Sequence, residues 1–207
     1  ATRTATFTPG RDAARKEASK LNVPRIGVRF RLPASMNQVE YFGRGPAENY
    51  LDRNAGSMIG LYKSTAEELY FPYVRPQENG HHTDTRWVSL STGKKGLLIQ
   101  ADNTIGFNAL RNSIEDFDDE EATGLSRQWS NFTPEQVANH DEAAAKNVLR
   151  RQHHINDITP CDFVEVCVDL KQQGVAGYDS WGSRPEPAYT LPANREYNWG
   201  FTLIPLK

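Results

Sequence analysis

The stretch Ile26-Gly-Val-Arg-Phe-Arg-Leu32 (IGVRFRL) decides the fold class. Its apolar side chains at 26, 28, 30 and 32 alternate with Gly27, Arg29 and Arg31. A period of two gives an extended chain one apolar and one charged face, so this segment reads as a half-buried β-strand with both arginines outward. Working outward, Thr2–Thr8, Gln38–Phe42, Thr85–Leu90, Gly96–Gln100, Phe107–Leu110, Phe163–Leu170 and Tyr197–Leu203 read the same way. The turn STGKK joins Thr85–Leu90 to Gly96–Gln100 as a hairpin, and Gly43-Arg-Gly-Pro46 ends the strand before it. Gly10–Asn22 is a charged loop, and Ser64 or Thr65 can cap a helical turn before Tyr70.

One helix interrupts this pattern. Thr133-Pro-Glu-Gln136 supplies a cap, a proline at the first helical position and a reciprocal glutamine. Val137, Ala144, Ala145, Val148 and Leu149 follow at helical spacing, giving a narrow apolar stripe for a peripheral helix near 134–150. Short strands separated by Gly and Pro otherwise dominate. The expectation is an all-β chain, a large two-sheeted antiparallel β-sandwich forming a single domain over 1–207.

Composition excludes some partners. The 207 residues carry a formal charge of −2, and Lys and Arg are scattered among acids, which argues against nucleic acid. No apolar run approaches the roughly 18–20 residues that span a bilayer. Cys161 and Cys167, if both lie on one strand, are about 20 Å apart and cannot bond to each other. Free thiols suit a reducing compartment or a fold indifferent to compartment, which favours the cytoplasm slightly over the periplasm.

Chemistry-bearing clusters are few. The acids at 115, 116 and 118–121 lack calcium-loop spacing and read as a solvated loop. His81-His82 and His153-His154 are doublets, and adjacent strand residues face opposite ways, so neither supplies two ligands to one ion. Gly43–Arg53 and Pro72–Trp87 place Glu-Asn pairs beside arginines, which fits either loop clamps or a polar surface for a sugar or another domain. Gly177-Tyr-Asp-Ser-Trp-Gly182 is the most telling. It puts a tryptophan in a glycine-bracketed loop beside Asp179 and Ser180. An aromatic ring covers the C–H face of a pyranose while carboxylate and hydroxyl groups bond its rim. Trp181, Asp179 and Ser180 are therefore the candidate sugar-binding residues, and a plug at the end of the sandwich is the bland alternative for Trp181.

The segments PRIGVRF (24–30), FGRGPAENYLDR (42–53), PYVRPQENGHHTDTRW (72–87), NDI (156–158) and GVAGYDSWGSRP (174–185) occur in an order that resembles one family. It is the C-terminal small-chain domain of glycoside hydrolase family 2 β-galactosidases. The resemblance runs from about Val23 to the end, broken at Phe117–Gln152. It implies a galactose-mutarotase-like sandwich with further strands before Ala1, and a sheet edge that would pair with them or with a second copy. It also implies a retaining β-galactosidase whose two glutamates and magnesium belong to a separate (β/α)8 domain. This chain would then hold no catalytic residue and no cofactor, and would supply a wall of the active site, with Trp181 stacking on the β-galactoside. The alternatives are a stand-alone carbohydrate-binding module, a mutarotase-like aldose-binding protein and a structural subunit completing an oligomer.

Overall fold

The computed structural model describes residues 2–7, 22–117, 155–179 and 181–207. Among these, eight strands form one open antiparallel sheet: β1 (Thr2–Phe7), β2 (Arg25–Pro33), β3 (Gln38–Gly45), β4 (Met58–Thr65), β5 (His82–Ser91), β6 (Gly96–Leu110), β7 (Phe163–Gln172) and β8 (Tyr197–Leu206). The all-β, antiparallel expectation holds, and the arrangement is that of a β-sandwich fragment. The expected helix near 134–150 and His153-His154 lie outside the described residues.

The sheet forks at β6. One edge of this strand pairs with β5, while the other pairs first with β8, up to Ala101↔Phe201, and then with β7, from Gly106↔Asp169. Between the two regimes, Gln100 to Ile105 of β6 lies opposite Trp87 to Thr85 of β5, so extra residues bulge outward. Bulges bend and twist a strand locally, which lets one strand serve two differently directed ladders. Asp102, Asn103 and Thr104 at the bend are exposed. One arm runs β8–β1 and the other β7–β2.

Strand chemistry follows from this placement. Along β2, Val28, Phe30 and Leu32 are half-buried and Arg29 and Arg31 are exposed, as the alternation requires. Those arginines fold over Glu165 of β7, at 3.7 Å and 3.2 Å. Strand β7 lies between β2 and β6, and every residue from Val164 to Asp169 is buried. Where β3 and β5 pair, Val39, Tyr41, Val88 and Leu90 point into the core, with Ile99, Ile105 and Phe107 of β6. Fully burying each such side chain contributes about 1.5–3 kcal/mol. Tyr41, His82 and Phe107 form a ring cluster with centroids 4.9–5.1 Å apart. Strand β3 runs three residues beyond Phe42 because Gly43–Gly45 still pair with β4, and pairing stops at Pro46, which has no amide to donate.

A second compact unit comprises, among the described residues, Pro72–Glu78, Asn112–Phe117 and Ile155–Cys161. Within it, Asp116 accepts the amide of Ser113 at 2.8 Å and closes a single 3-10 turn at Ile114–Asp116. Neither Cys161 nor Cys167 is in a disulfide.

A buried polar network ties the β7 arm to the β5–β6 ladder. Asp169, 1 % exposed, accepts Nε and Nη2 of Arg25 through one oxygen at 2.9 and 2.7 Å. Arg25 also reaches Oδ1 of Asn108, which accepts from Nδ1 of His81 at 2.8 Å. Asn108 in turn donates to the carbonyl of Asn79 at 2.7 Å. His81 is neutral here: burial, and then the charge of Arg25, push its pKa down from 6.5 to about 3. Removing the Asp169 carboxylate strands a guanidinium inside the network, so Asp169→Ala should cost about 3–5 kcal/mol in urea unfolding. A cost below about 1 kcal/mol would show that the network is not structural.

The sign of the histidine effect is fixed by linkage. Below pH 6.5 the unfolded chain protonates His81 and the folded chain does not, so its contribution is complete above that pH and is lost as pH falls towards 3. His82 shifts the same way, through burial. Calorimetry should show Tm falling between pH 7.5 and 5, with a shallower fall in His81→Asn. An unaltered slope in that variant would contradict this account.

Candidate functional site

The candidate site is the segment from Gly174 to Pro185, and its construction starts elsewhere, in the turn Tyr50–Arg53. Tyr50 and Arg53 pair with each other, putting Leu51 and Asp52 at the tip. The base of that turn is fixed. Glu48 accepts the amide of Gly80 at 2.6 Å and Arg53 at 2.7 Å. Asn49 is fully buried; its Oδ1 accepts the amide and hydroxyl of Thr83, and its Nδ2 donates to the carbonyls of Arg44 and Ala47. Tyr50, 1 % exposed, stacks on His81 at 5.5 Å. Glu48, Asn49 and Arg53 of Gly43–Arg53 therefore clamp loops, as does Asn79 of Pro72–Trp87, whose Oδ1 accepts the amide of Phe71 at 3.1 Å, which decides for the structural reading of those residues.

From this base Asp52 reaches the tryptophan loop. Its Oδ1 accepts the amide of Val175 at 3.1 Å, and its Oδ2 accepts the amide of Ala176 at 2.8 Å and the hydroxyl of Tyr178 at 3.3 Å. Consecutive amides converging on one anion form the concavity that backbone makes when it turns through the left-handed region. Ala176 has φ +54 and Gly177 φ +83. Gly174 lies so close that a Cβ there would overlap Asp52.

Beyond the anchor the chain closes on itself. The amide of Tyr178 donates to Ser183 Oγ at 2.9 Å, and the amide of Trp181 donates to Asp179 Oδ1 at 2.7 Å. Gly182, at φ +81, turns the chain back. The product is a braced loop with its indole in the open: Trp181 is 94 % exposed. It is not a plug.

Of the three residues singled out from sequence, Trp181 and Asp179 lie together on this loop, and one oxygen of Asp179 is committed to the loop's own backbone. Ser180 lies outside the described residues. Asp52 and Gly174 escaped sequence reasoning, because an acid and a glycine 122 positions apart carry no local signal of meeting. His81 and His82 are buried and bonded to Asn108 and to the carbonyls of Gly80 and Pro46, so neither faces a cleft as an acid or base. Among the described residues no three His, Cys, Asp or Glu side chains converge to hold a metal ion. A shallow groove of about 390 Å³ also lies on the open face of the sheet, lined by Glu40, Trp87, Ser89, Leu98, Gln100 and Leu206.

Comparison with known proteins gives these features a context. The family model described as "Beta galactosidase small chain" matches residues 3–203, so the likeness begins well before Val23. A β-galactosidase of Priestia megaterium is 35 % identical over 185 residues, 89 % of this chain and 15 % of that protein. One from Arthrobacter sp. is 40 % identical over 111 residues, 51 % of this chain and 11 % of its own length. One from Vibrio cholerae is 29 % identical over 181 residues, 87 % of this chain and 14 % of its own. The chain thus spans about 15 % of the length of the curated relatives it matches. With the family model covering nearly the whole sequence, the chain belongs to the β-galactosidase small-chain family.

Proposed function

We propose that this chain is the small-chain domain of a family 2 β-galactosidase and forms a non-catalytic wall of its active site, with Trp181 stacking on the galactosyl ring. The observation that carries the reading is the indole itself, 94 % exposed at the end of a loop braced at Asp52, Asp179 and Ser183. An exposed aromatic costs the chain apolar contact with water, and a loop so heavily bonded does not leave it there by slackness. Its flat face suits the C–H face of a pyranose, and such a contact contributes on the order of 1 kcal/mol beyond area burial.

The chemistry belongs to the catalytic (β/α)8 domain of the same enzyme. In a retaining glycosidase one carboxylic acid protonates the glycosidic oxygen as the leaving group departs, and a second carboxylate attacks the anomeric carbon. Water, deprotonated by the first residue, then releases galactose with its configuration retained. The residues of this chain orient the sugar and limit water on one side. Magnesium, where the enzyme uses it, belongs to the catalytic domain.

A second reading, a free-standing carbohydrate-binding module, draws on the sheet-face groove, where half-buried Trp87 lies beside Glu40, Ser89 and Gln100. The mutarotase-like reading needs a histidine–carboxylate pair in a cleft, and among the described residues both histidines, His81 and His82, are buried and committed to hydrogen bonds.

In the complete enzyme Trp181→Ala should raise KM for lactose about five- to tenfold, with kcat changed far less and Tm unmoved. Trp181→Phe should recover most of the loss. A wild-type KM in Trp181→Ala would remove the stacking role. Calorimetric titration of lactose into the isolated chain should give no heat of binding, whereas a saturable signal abolished by Trp87→Ala would favour the module.

A further inference from the structure

We infer that Asp52 is a positioning residue for the sugar platform: it presets the orientation of Trp181 by holding the start of the loop in its binding shape. The inference rests on the stacking role proposed for Trp181 and adds the part of the chain through which that role is set.

Three observations converge on it. First, one carboxylate takes three donors of the loop, the amides of Val175 and Ala176 and the hydroxyl of Tyr178, across sequence separations of 123, 124 and 126 residues. Hydrogen bonds to a carboxylate are stronger than those between neutral groups. Second, both partners are shaped for the contact. Gly174 leaves room where any Cβ would overlap the carboxylate, and Ala176 takes a left-handed φ of +54 that turns its amide inward. Third, the acid is carried by a turn that cannot easily yield, since Glu48, Asn49 and Tyr50 fasten it to Gly80, Thr83 and His81. Tyr178 then links the anchor to the second half of the loop through Ser183, and Asp179 caps the tryptophan amide.

The consequence is one of preorganisation. A ring on a slack loop would have to be ordered each time substrate bound, and that ordering would subtract from affinity. With Asp52 in place the ordering is complete before the sugar arrives. Asp52 therefore contributes to KM through Trp181 and touches no substrate itself.

A double-mutant cycle in the complete enzyme separates the outcomes. Asp52→Ala should raise KM for lactose about fivefold with kcat within about twofold of wild type, while in a Trp181→Ala background the same substitution should change KM less than about twofold. Gly174→Ala, which takes an ordinary backbone conformation but displaces the carboxylate, should reproduce the Asp52→Ala pattern. If Asp52→Ala fails to accumulate, Asp52→Asn keeps the side-chain shape and one acceptor and completes the cycle. Equal KM effects of the Asp52 variant in both backgrounds would overturn the inference and leave the stacking role standing. So would a wild-type KM in both Asp52 and Gly174 variants. A Trp181→Ala enzyme with normal KM would instead overturn the stacking role, and this inference with it.

Discussion

Strand β6 has to satisfy two sets of neighbours, and the sheet is organised around that constraint. Every buried amide and carbonyl needs a partner, so a strand that changes neighbours midway must do so without leaving a buried gap. The bulge opposite Thr85–Trp87 solves this by placing the changeover at exposed Asp102–Thr104. On one side of it β8 and β1 continue the sheet, and on the other β7 and β2 do. The Arg25–Asp169–Asn108–His81 network lies just past the fork, where it couples the second arm to β6.

The same region leads to the site. His81 belongs to the buried network through Asn108 and to the base of the Tyr50–Arg53 turn through its stacking on Tyr50. The turn carries Asp52, and Asp52 carries the loop that ends in Trp181. An unbroken series of named contacts therefore runs from buried polar groups of the sheet to the most exposed aromatic ring among the described residues. Stability and presentation share these atoms, which explains why Glu48, Asn49 and Arg53 belong to the scaffold although their chemistry resembles that of a binding surface.

The sequence made much of this legible, for identifiable reasons. The period of two in IGVRFRL survives in β2 because one of its faces packs and the other is wet. The cap at Thr65 was legible too: Thr65 and Glu68 exchange amide bonds at 3.0 and 3.2 Å. Strand β4, just before it, was missed because Met58, Ile59 and Leu61 are apolar yet exposed, so no alternation marks the strand. Strand β6 read as two pieces because its bend is polar and resembles a turn. The exposure of Trp181 was legible from its bracketing glycines, but its anchoring was not, since the partners meet only in space.

The left-handed Ala176 has an implication for how this loop can vary over generations. Residues branched at Cβ are strongly disfavoured in that conformation, whereas glycine and asparagine enter it readily. The pose of the indole thus depends partly on a dihedral angle five positions upstream, at a residue whose amide is bonded to Asp52. Glycine or asparagine would keep this angle at the least backbone cost, and a β-branched residue would not.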